Sequence, residues 1–315
     1  MERLKVDFAY FWPDFKKEDN YFTRILSKKY ELKFSDKPNL YFFTHSYNGK
    51  KDYLNYKCHR VFLGWENERA NWNICDYVLD SDFYSDNPRH KRWPIWASWR
   101  PERLTEPKNT SQFLDKKKFA CMVVSNGNAK ERIEFFHQLS KYKKVDSGGK
   151  FLNNVGGPVS NKLDFIKNYK FVISFENSSY PGYTTEKLIQ PMFSNCIPIY
   201  WGNPAIGRDF NTRSFINVHD YKNYDEAIER IIQLDSDEKQ YESMVMETWF
   251  NNNALPADLT AESLSDFLDF VVKDSKLKRP VATLLNKRLL YQLSVVKQQY
   301  FYKILYRLGI LKGFR

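Results

Sequence analysis

Glu176, Asn177, Glu186 and Lys187 lie close together in the run SFENSSYPGYTTEKLIQ, residues 174–190. Carboxylates can accept hydrogen bonds or steady a growing positive charge, an amide can read hydroxyls, and an ammonium can neutralise an anion. Tyr169–Ser174, YKFVIS, precedes them as an apolar strand. Gly182 permits close backbone approach, and Thr184 or Thr185 can cap the helix that follows. The first N–H groups of that helix, and the positive end of its dipole, would then face whatever lies beyond the strand. Lys187 falls in the first turn, where a cation opposes the dipole, and a nearby anion would resolve the conflict. A nucleotide diphosphate meets these demands. An exposed loop with an unimportant surface lysine is the plainer alternative.

The elements that must position these residues alternate along the chain. Lys5–Trp12, Leu40–Thr44, Arg60–Trp65 and Tyr77–Asp80 read as strands and Asn20–Tyr30 as a helix. The stretch Pro101–Lys118, with two prolines, many charges and little periodicity, reads as a linker. Strands are expected again at Phe119–Ser125, Tyr169–Phe175, Cys196–Tyr200 and Phe215–Val218. Helices are expected at Lys130–Lys141, Thr185–Phe193 and Tyr224–Gln233, with Pro191 kinking or shortening the second. Two βαβ series divided by a linker imply an α/β chain with two mainly parallel sheets. In open sheets of this kind ligands bind beyond the carboxyl ends of strands. Three such ends carry polar chemistry: Trp65-Glu66-Asn67, Ser125-Asn126-Gly127 and Phe175-Glu176-Asn177.

The chain has 315 residues and a net charge of +11, and residues 276–315 carry ten of those charges with no Asp or Glu. A basic face spread over a folded body, as a nucleic-acid binder requires, is not the pattern here. The apolar steps Leu277, Val281, Leu285, Leu289, Leu293, Val296, Tyr300, Ile304, Leu308 and Leu311 make a helical stripe. Its first half could pack on the body; the last twenty residues read as an amphipathic helix attracted to an anionic membrane surface. No run reaches the length of a membrane span, and the N-terminus lacks the apolar core of a signal peptide. A soluble intracellular chain is expected. The four cysteines form no CxxC pair and read as small core residues, and the five histidines form no HxxxH or HExxH pair, so no metal site is expected from either. Asp80-Ser81-Asp82 is a competing metal signal, a D-x-D that could hold Mn²⁺, though such triplets are common in turns and Asp235-Ser236-Asp237 is another.

FENSSYPGYTTEK followed by CIPIYWGNP, and SFINVHDY after it, closely resembles the signature of the α1,3-fucosyltransferase family, inverting enzymes that use GDP-fucose. RVFLGWENE and VVSNGNAKERIEFF resemble two further segments of that family, so the likeness covers residues 1 to about 270. The resemblance implies a GT-B-like fold, two Rossmann-like domains facing across a cleft. It divides the chain into an acceptor domain at 1–112, a donor domain at 113–272 and a basic helical tail at 273–315.

The mechanism so implied is a single displacement on GDP-β-L-fucose. Glu66 matches the general base, and Glu186 the carboxylate that steadies charge on the sugar ring. Arg132 and Lys187 match the cations that take up the leaving diphosphate. Asn177, Tyr183, Glu176, Ser125 and Asn126 match donor-binding positions. Glu176 could instead accept backbone N–H groups, and Arg132 read alone belongs to a solvated helix face. No cofactor is required on this reading; a divalent cation such as Mn²⁺ would at most stimulate. The expected acceptor is a GlcNAc-containing, N-acetyllactosamine-type glycan of the Lewis-antigen kind on bacterial lipopolysaccharide. The enzyme would work in the bacterial cytoplasm on the inner face of the membrane. The alternatives are a metal-dependent D-x-D glycosyltransferase and a non-catalytic carbohydrate- or nucleic-acid-binding protein.

Overall fold

The structure, a computed structural model, describes residues 1–9, 11, 15–44, 55–83, 86–116, 118–284, 287, 289–293 and 296. Two compact units are present. One comprises the described parts of Met1–Asp80, Ser85–Lys91 and Ala261–Arg315; the other comprises those of Ser81–Tyr84 and Arg92–Thr260.

The first unit is built on a sheet ordered β2-β1-β3-β4-β5-β6. These strands are β1 (Glu2–Ala9), β2 (Tyr30–Phe34), β3 (Leu40–Phe43), β4 (His59–Gly64), β5 (Tyr77–Asp80) and β6 (His90–Arg92). The ladders joining β1 to β5 are parallel. Every residue of β3, β4 and β5 is buried, the mark of a parallel sheet covered on both faces. Helix α1 (Tyr21–Leu26) is fixed at its start by a capping box between Asn20 and Thr23. It sets Phe22 against Trp65, with ring centroids 5.9 Å apart.

The second unit has the sheet β11-β10-β9-β7-β8, parallel throughout. Its strands are β7 (Lys118–Met122), β8 (Val145–Ser147), β9 (Tyr169–Phe175), β10 (Ile197–Trp201) and β11 (Ile216–Asn217). Its helices are α2 (Thr110–Leu114), α3 (Lys130–Tyr142), α4 (Lys162–Ile166), α5 (Glu186–Phe193), α6 (Tyr224–Ser236) and α7 (Glu238–Met246). Chain order runs from β7 outward to β8, then reverses through β9 to β11. The reversal makes a crevice between the carboxyl ends of β7 and β9, where ligands of such folds bind.

Several expectations are corrected. Pro101–Lys118 is no exposed linker: it contains α2 and a 3-10 turn, and Phe113 is fully buried in the second unit. Charge and proline content hid the one aromatic that anchors it. By contacts the units divide near residues 80, 91 and 260; the sequence division at 112 and 272 follows the family resemblance instead. Helix α8 (Ala261–Leu277) belongs to the first unit. Tyr77 donates its hydroxyl to Asp274 at 2.9 Å, and Asp76 Oδ1 accepts the Val281 N–H at 2.7 Å. Pro191 does sit inside α5, and the helix ends two residues later. The membrane helix expected for the last twenty residues lies, apart from Val296, outside the described residues. No helix among the described residues is long and apolar enough to cross a membrane.

Candidate active site

Arg132 stands at the β7/β9 crevice, on the first turn of α3 and only 2% exposed. Its Nε and Nη2 donate to the carbonyl of Phe175 at 3.2 and 2.7 Å, ending β9. Nη2 also donates to Asn177 Oδ1 at 2.9 Å, and Nη1 to the carbonyl of Asn126 at 3.4 Å. One guanidinium therefore ties the loop after β7 to the loop after β9. The solvated-face reading of Arg132 is overturned, because periodicity on a short helix does not show that its first turn faces a crevice. Burial lowers the guanidinium pKa, and Glu176 opposes that shift.

Glu176 is fully buried. Its Oε1 accepts the Thr185 N–H at 2.7 Å, its Oε2 accepts the Thr185 hydroxyl at 2.8 Å, and Lys187 Nζ lies 3.3 Å from Oε2. Accepting a backbone N–H is one of the two roles the sequence leaves open to it, and here it does so at Thr185. Burial raises its pKa above the ordinary glutamate value despite Lys187. Thr185 is the N-cap of α5, accepting the Lys187 N–H at 3.3 Å. Lys187 Nζ is 3.6 Å from Glu186 Oε1 as well. Two carboxylates thus supply the anion that its place in the first turn demands. Glu186 is partly exposed; burial alone would raise its pKa, but Lys187 and Lys162 hold it below the ordinary value.

Glycines let these loops close. Gly182 has φ +91°, and a Cβ there would stand 2.0 Å from the Ser81 carbonyl oxygen. Its N–H donates to Asn203 Oδ1 at 2.8 Å, while Asn203 Nδ2 reaches Thr184 Oγ1 at 3.2 Å. Asn203 thus holds the 182–184 loop that presents α5. A Cβ on Gly202 would meet Glu176 Cγ at 2.5 Å. Trp201 is stacked between Phe175 and His219, with centroids 5.8 and 5.7 Å away. Burial lowers the His219 pKa, consistent with Nε2 accepting the Gly202 N–H at 3.2 Å.

Arg132, Asn126, Asn177, Glu176, Glu186 and Lys187 are therefore gathered in the second unit as expected. Tyr183 is there too, but only 1% exposed, with its carbonyl accepting from Tyr200 at 3.4 Å. Ser125 is exposed just past β7. Glu66 belongs to the first unit, exposed two residues past β4. Asp80 is buried and bonded to His90 at 2.7 Å, so its carboxylate already has a partner inside the fold. Among the described residues no three His, Cys, Asp or Glu side chains converge as a metal site would require. The sequence reading missed Asn203, Lys162, His219 and the loop 147–157. In that loop Phe151 N–H bonds Val124 O at 3.2 Å and a Cβ on Gly149 would strike Val124 O at 1.8 Å. Its two Gly-Gly pairs were the available signal.

With this geometry in place, comparison with known proteins is direct. A model described as glycosyltransferase family 10 (fucosyltransferase) C-term matches residues 113–268, and one described as alpha-(1,3)-fucosyltransferase FucT N-terminal domain matches residues 6–99. An alpha-(1,3)-fucosyltransferase FucT of Helicobacter pylori is 34% identical over 291 residues, covering 79% of this chain and 60% of that protein. Alpha-(1,3)-fucosyltransferase B of Drosophila melanogaster is 34% identical over 197 residues, covering 53% of this chain and 43% of that protein. The chain thus spans 60% or less of the length of these curated relatives. A crystal structure of an α1,3-fucosyltransferase with GDP-fucose matches at TM-score 0.73 and 29% identity, covering 86% of this chain and 91% of the other. Two parallel α/β units, the crevice residues and both family models agree: the chain belongs to glycosyltransferase family 10, the fucosyltransferase family, and has its GT-B fold class.

Proposed function

We propose that the chain is an inverting α1,3-fucosyltransferase that moves L-fucose from GDP-β-L-fucose to O3 of GlcNAc in an N-acetyllactosamine-type glycan. The acceptor oxygen attacks the anomeric carbon as the bond from that carbon to the β-phosphate oxygen breaks. The acceptor proton passes to the Glu66 carboxylate, GDP departs, and the β-linked sugar becomes an α-fucoside. The observation that carries this reading is the pair of cations, Arg132 and Lys187, at the strand ends of one crevice. Fixed positive groups gain most where charge develops, here on the departing diphosphate. Arg132 supplies that field from a rigid position, and Lys187 is exposed enough to reach the ligand. Glu186, held ionised by Lys187 and Lys162, suits the oxocarbenium-like charge on the ring. The GDP-fucose bound by the related crystal structure supports the donor. No step here needs a metal, and Mn²⁺ is proposed only as a stimulant.

We extend the proposal to location: the basic stripe near the C-terminus holds the enzyme to the cytoplasmic face of an anionic membrane, where it fucosylates lipopolysaccharide glycans of the Lewis type. Vesicle co-sedimentation of the full chain, with and without residues 290–315, tests this. The activity is tested by incubation with GDP-fucose and a panel of GlcNAc-containing acceptors, with linkage analysis of the product. Glu66→Gln should abolish turnover and leave GDP affinity unchanged; a variant that still turns over removes Glu66 from its role.

A further inference from the structure

Beyond the donor crevice, the second unit has a cavity of about 860 Å³ at the opposite, amino-terminal ends of its strands. Its rim includes Lys118, where β7 begins, Asn168, just before β9, and Asn195, just before β10. Strand β9 has seven residues, so roughly 20 Å of sheet separates this cavity from the donor end. A ligand here is a second ligand.

Three apolar side chains, Trp99, Leu163 and Phe193, stand in a lining that is otherwise polar. Trp99 is 40% exposed and Leu163 41%, and the Arg103 guanidinium lies 5.3 Å from the centroid of the Phe193 ring. Large apolar side chains left open beside planar polar groups mark a recognition surface. The charges decide what is recognised. Four cations line the cavity, but Lys116 Nζ already donates to the carbonyls of Lys167 and Ser194, and Lys167 is paired with Asp164 at 2.9 Å. Lys118 Nζ donates to the Tyr169 hydroxyl at 3.4 Å, Arg103 lies over the Phe193 ring and Gln112 Oε1 accepts from Asn195, so the cations are dispersed among separate partners while the Asp115 carboxylate is exposed. A phosphate site would gather donors and exclude the carboxylate. Aromatic faces with a carboxylate, an amide and isolated cations instead match a sugar, whose C–H faces are apolar and whose hydroxyls both donate and accept. The volume falls within the roughly 300–1,000 Å³ of ligand-binding clefts.

We propose that this cavity is a second carbohydrate site, separate from the transfer site, that holds a neutral segment of a glycan chain on Trp99 and Phe193. It rests on the lining and not on the donor chemistry, so its failure leaves the fucosyl-transfer reading standing.

The test uses the full chain carrying 5-fluorotryptophan, with the Trp99 resonance assigned by its loss in Trp99→Phe. A neutral hexasaccharide of N-acetyllactosamine repeats is titrated in and followed by ¹⁹F NMR and calorimetry. The Trp99 signal should shift saturably. Trp99→Ala, which uncovers on the order of 60 Å² of stacked sugar surface, should weaken this binding about tenfold. GDP affinity, measured on the same sample, should stay unchanged and so certifies folding. An unmoved Trp99 signal overturns the proposal. So does a shift produced by inorganic phosphate or by phosphatidylglycerol vesicles but not by the hexasaccharide, which would make the cavity an anion site.

Discussion

Arg132→Lys separates two uses of a buried cation. If Arg132 matters chiefly as positive charge near the diphosphate, lysine should preserve most GDP affinity and leave stability intact. The geometry argues otherwise. Four contacts, two to the Phe175 carbonyl and one each to Asn177 and the Asn126 carbonyl, use the guanidinium as a clamp. A lysine can replace one or two of them. Hydrogen bonds from charged groups contribute about 1.5–3 kcal/mol each, and a buried carbonyl left short of donors adds to the loss. Allowing for the bonds lysine regains, the net destabilisation is about 3 kcal/mol. For a unit of this size that corresponds to a fall in Tm of roughly 6–12 °C. Thermal unfolding followed by circular dichroism, with and without saturating GDP, reads the effect directly. GDP should recover part of the lost Tm, because ligand binding favours the closed loops. A variant with wild-type Tm but tenfold weaker GDP binding would refute the clamp and make Arg132 a simple ligand contact.

Three other outcomes follow from the same geometry. Gly182→Ala puts a Cβ 2.0 Å from the Ser81 carbonyl oxygen at φ +91° and should cost about 2–4 kcal/mol, read by urea unfolding; an unchanged midpoint would mean the loop moves freely. Lys108 Nζ is buried with no hydrogen-bond partner among the described residues, 3.3 Å from the Trp249 ring centroid, and burial lowers the lysine pKa to about 7. Between that pH and the ordinary lysine value the unfolded chain holds a proton that the folded chain lacks, so stability rises with pH across this window and is penalised below it. Lys108→Met should therefore stabilise the protein at pH 6–7 by about 2–3 kcal/mol, after the part that the Trp249 face already offsets, and the gain should fade toward pH 10; a gain independent of pH would show that packing, not charge, is responsible. Lys162→Met removes one of the two cations that depress the Glu186 pKa. Glu186 then protonates at higher pH, so the acid limb of the kcat/KM profile should move upward; an unmoved limb would separate Lys162 from the site.

Much of the site could be read from residues 174–190 because its parts are contiguous: a strand end, a glycine, a capping threonine and a first-turn lysine. What could not be read is what each side chain holds. Glu176 and Glu186 look alike as letters, yet one has both oxygens committed to Thr185 in a fully buried position and the other is partly open to solvent. Arg132 lies 43 residues from its main acceptor, a separation that no local pattern encodes. The short elements were missed for a related reason. Three residues of β8 or five of α4 cannot display a period, and they form because the sheet beside them supplies partners. Helix α8 is absent from the sequence reading, and hydrogen bonds such as Tyr77 to Asp274, across 197 residues of chain, join it to the first unit.

The division of labour between the two glutamates also bears on how a diphosphate could enter. Glu176 is immobilised: its oxygens hold the N-cap of α5, and a glycine at 202 leaves room for nothing but its own side chain. Lys187 is tethered on that side but exposed on the other, where Glu186 is its partner at 3.6 Å. On the proposed reading, an arriving phosphate competes with Glu186 and not with Glu176 for the lysine. Moving the partly exposed carboxylate away disturbs less than moving the fully buried one, whose oxygens hold the N-cap. The same exchange frees Glu186 to face the sugar. On that reading, a lysine held between a buried carboxylate and a partly exposed one stays charged and oriented, so that little reorganisation remains when the leaving group develops its charge.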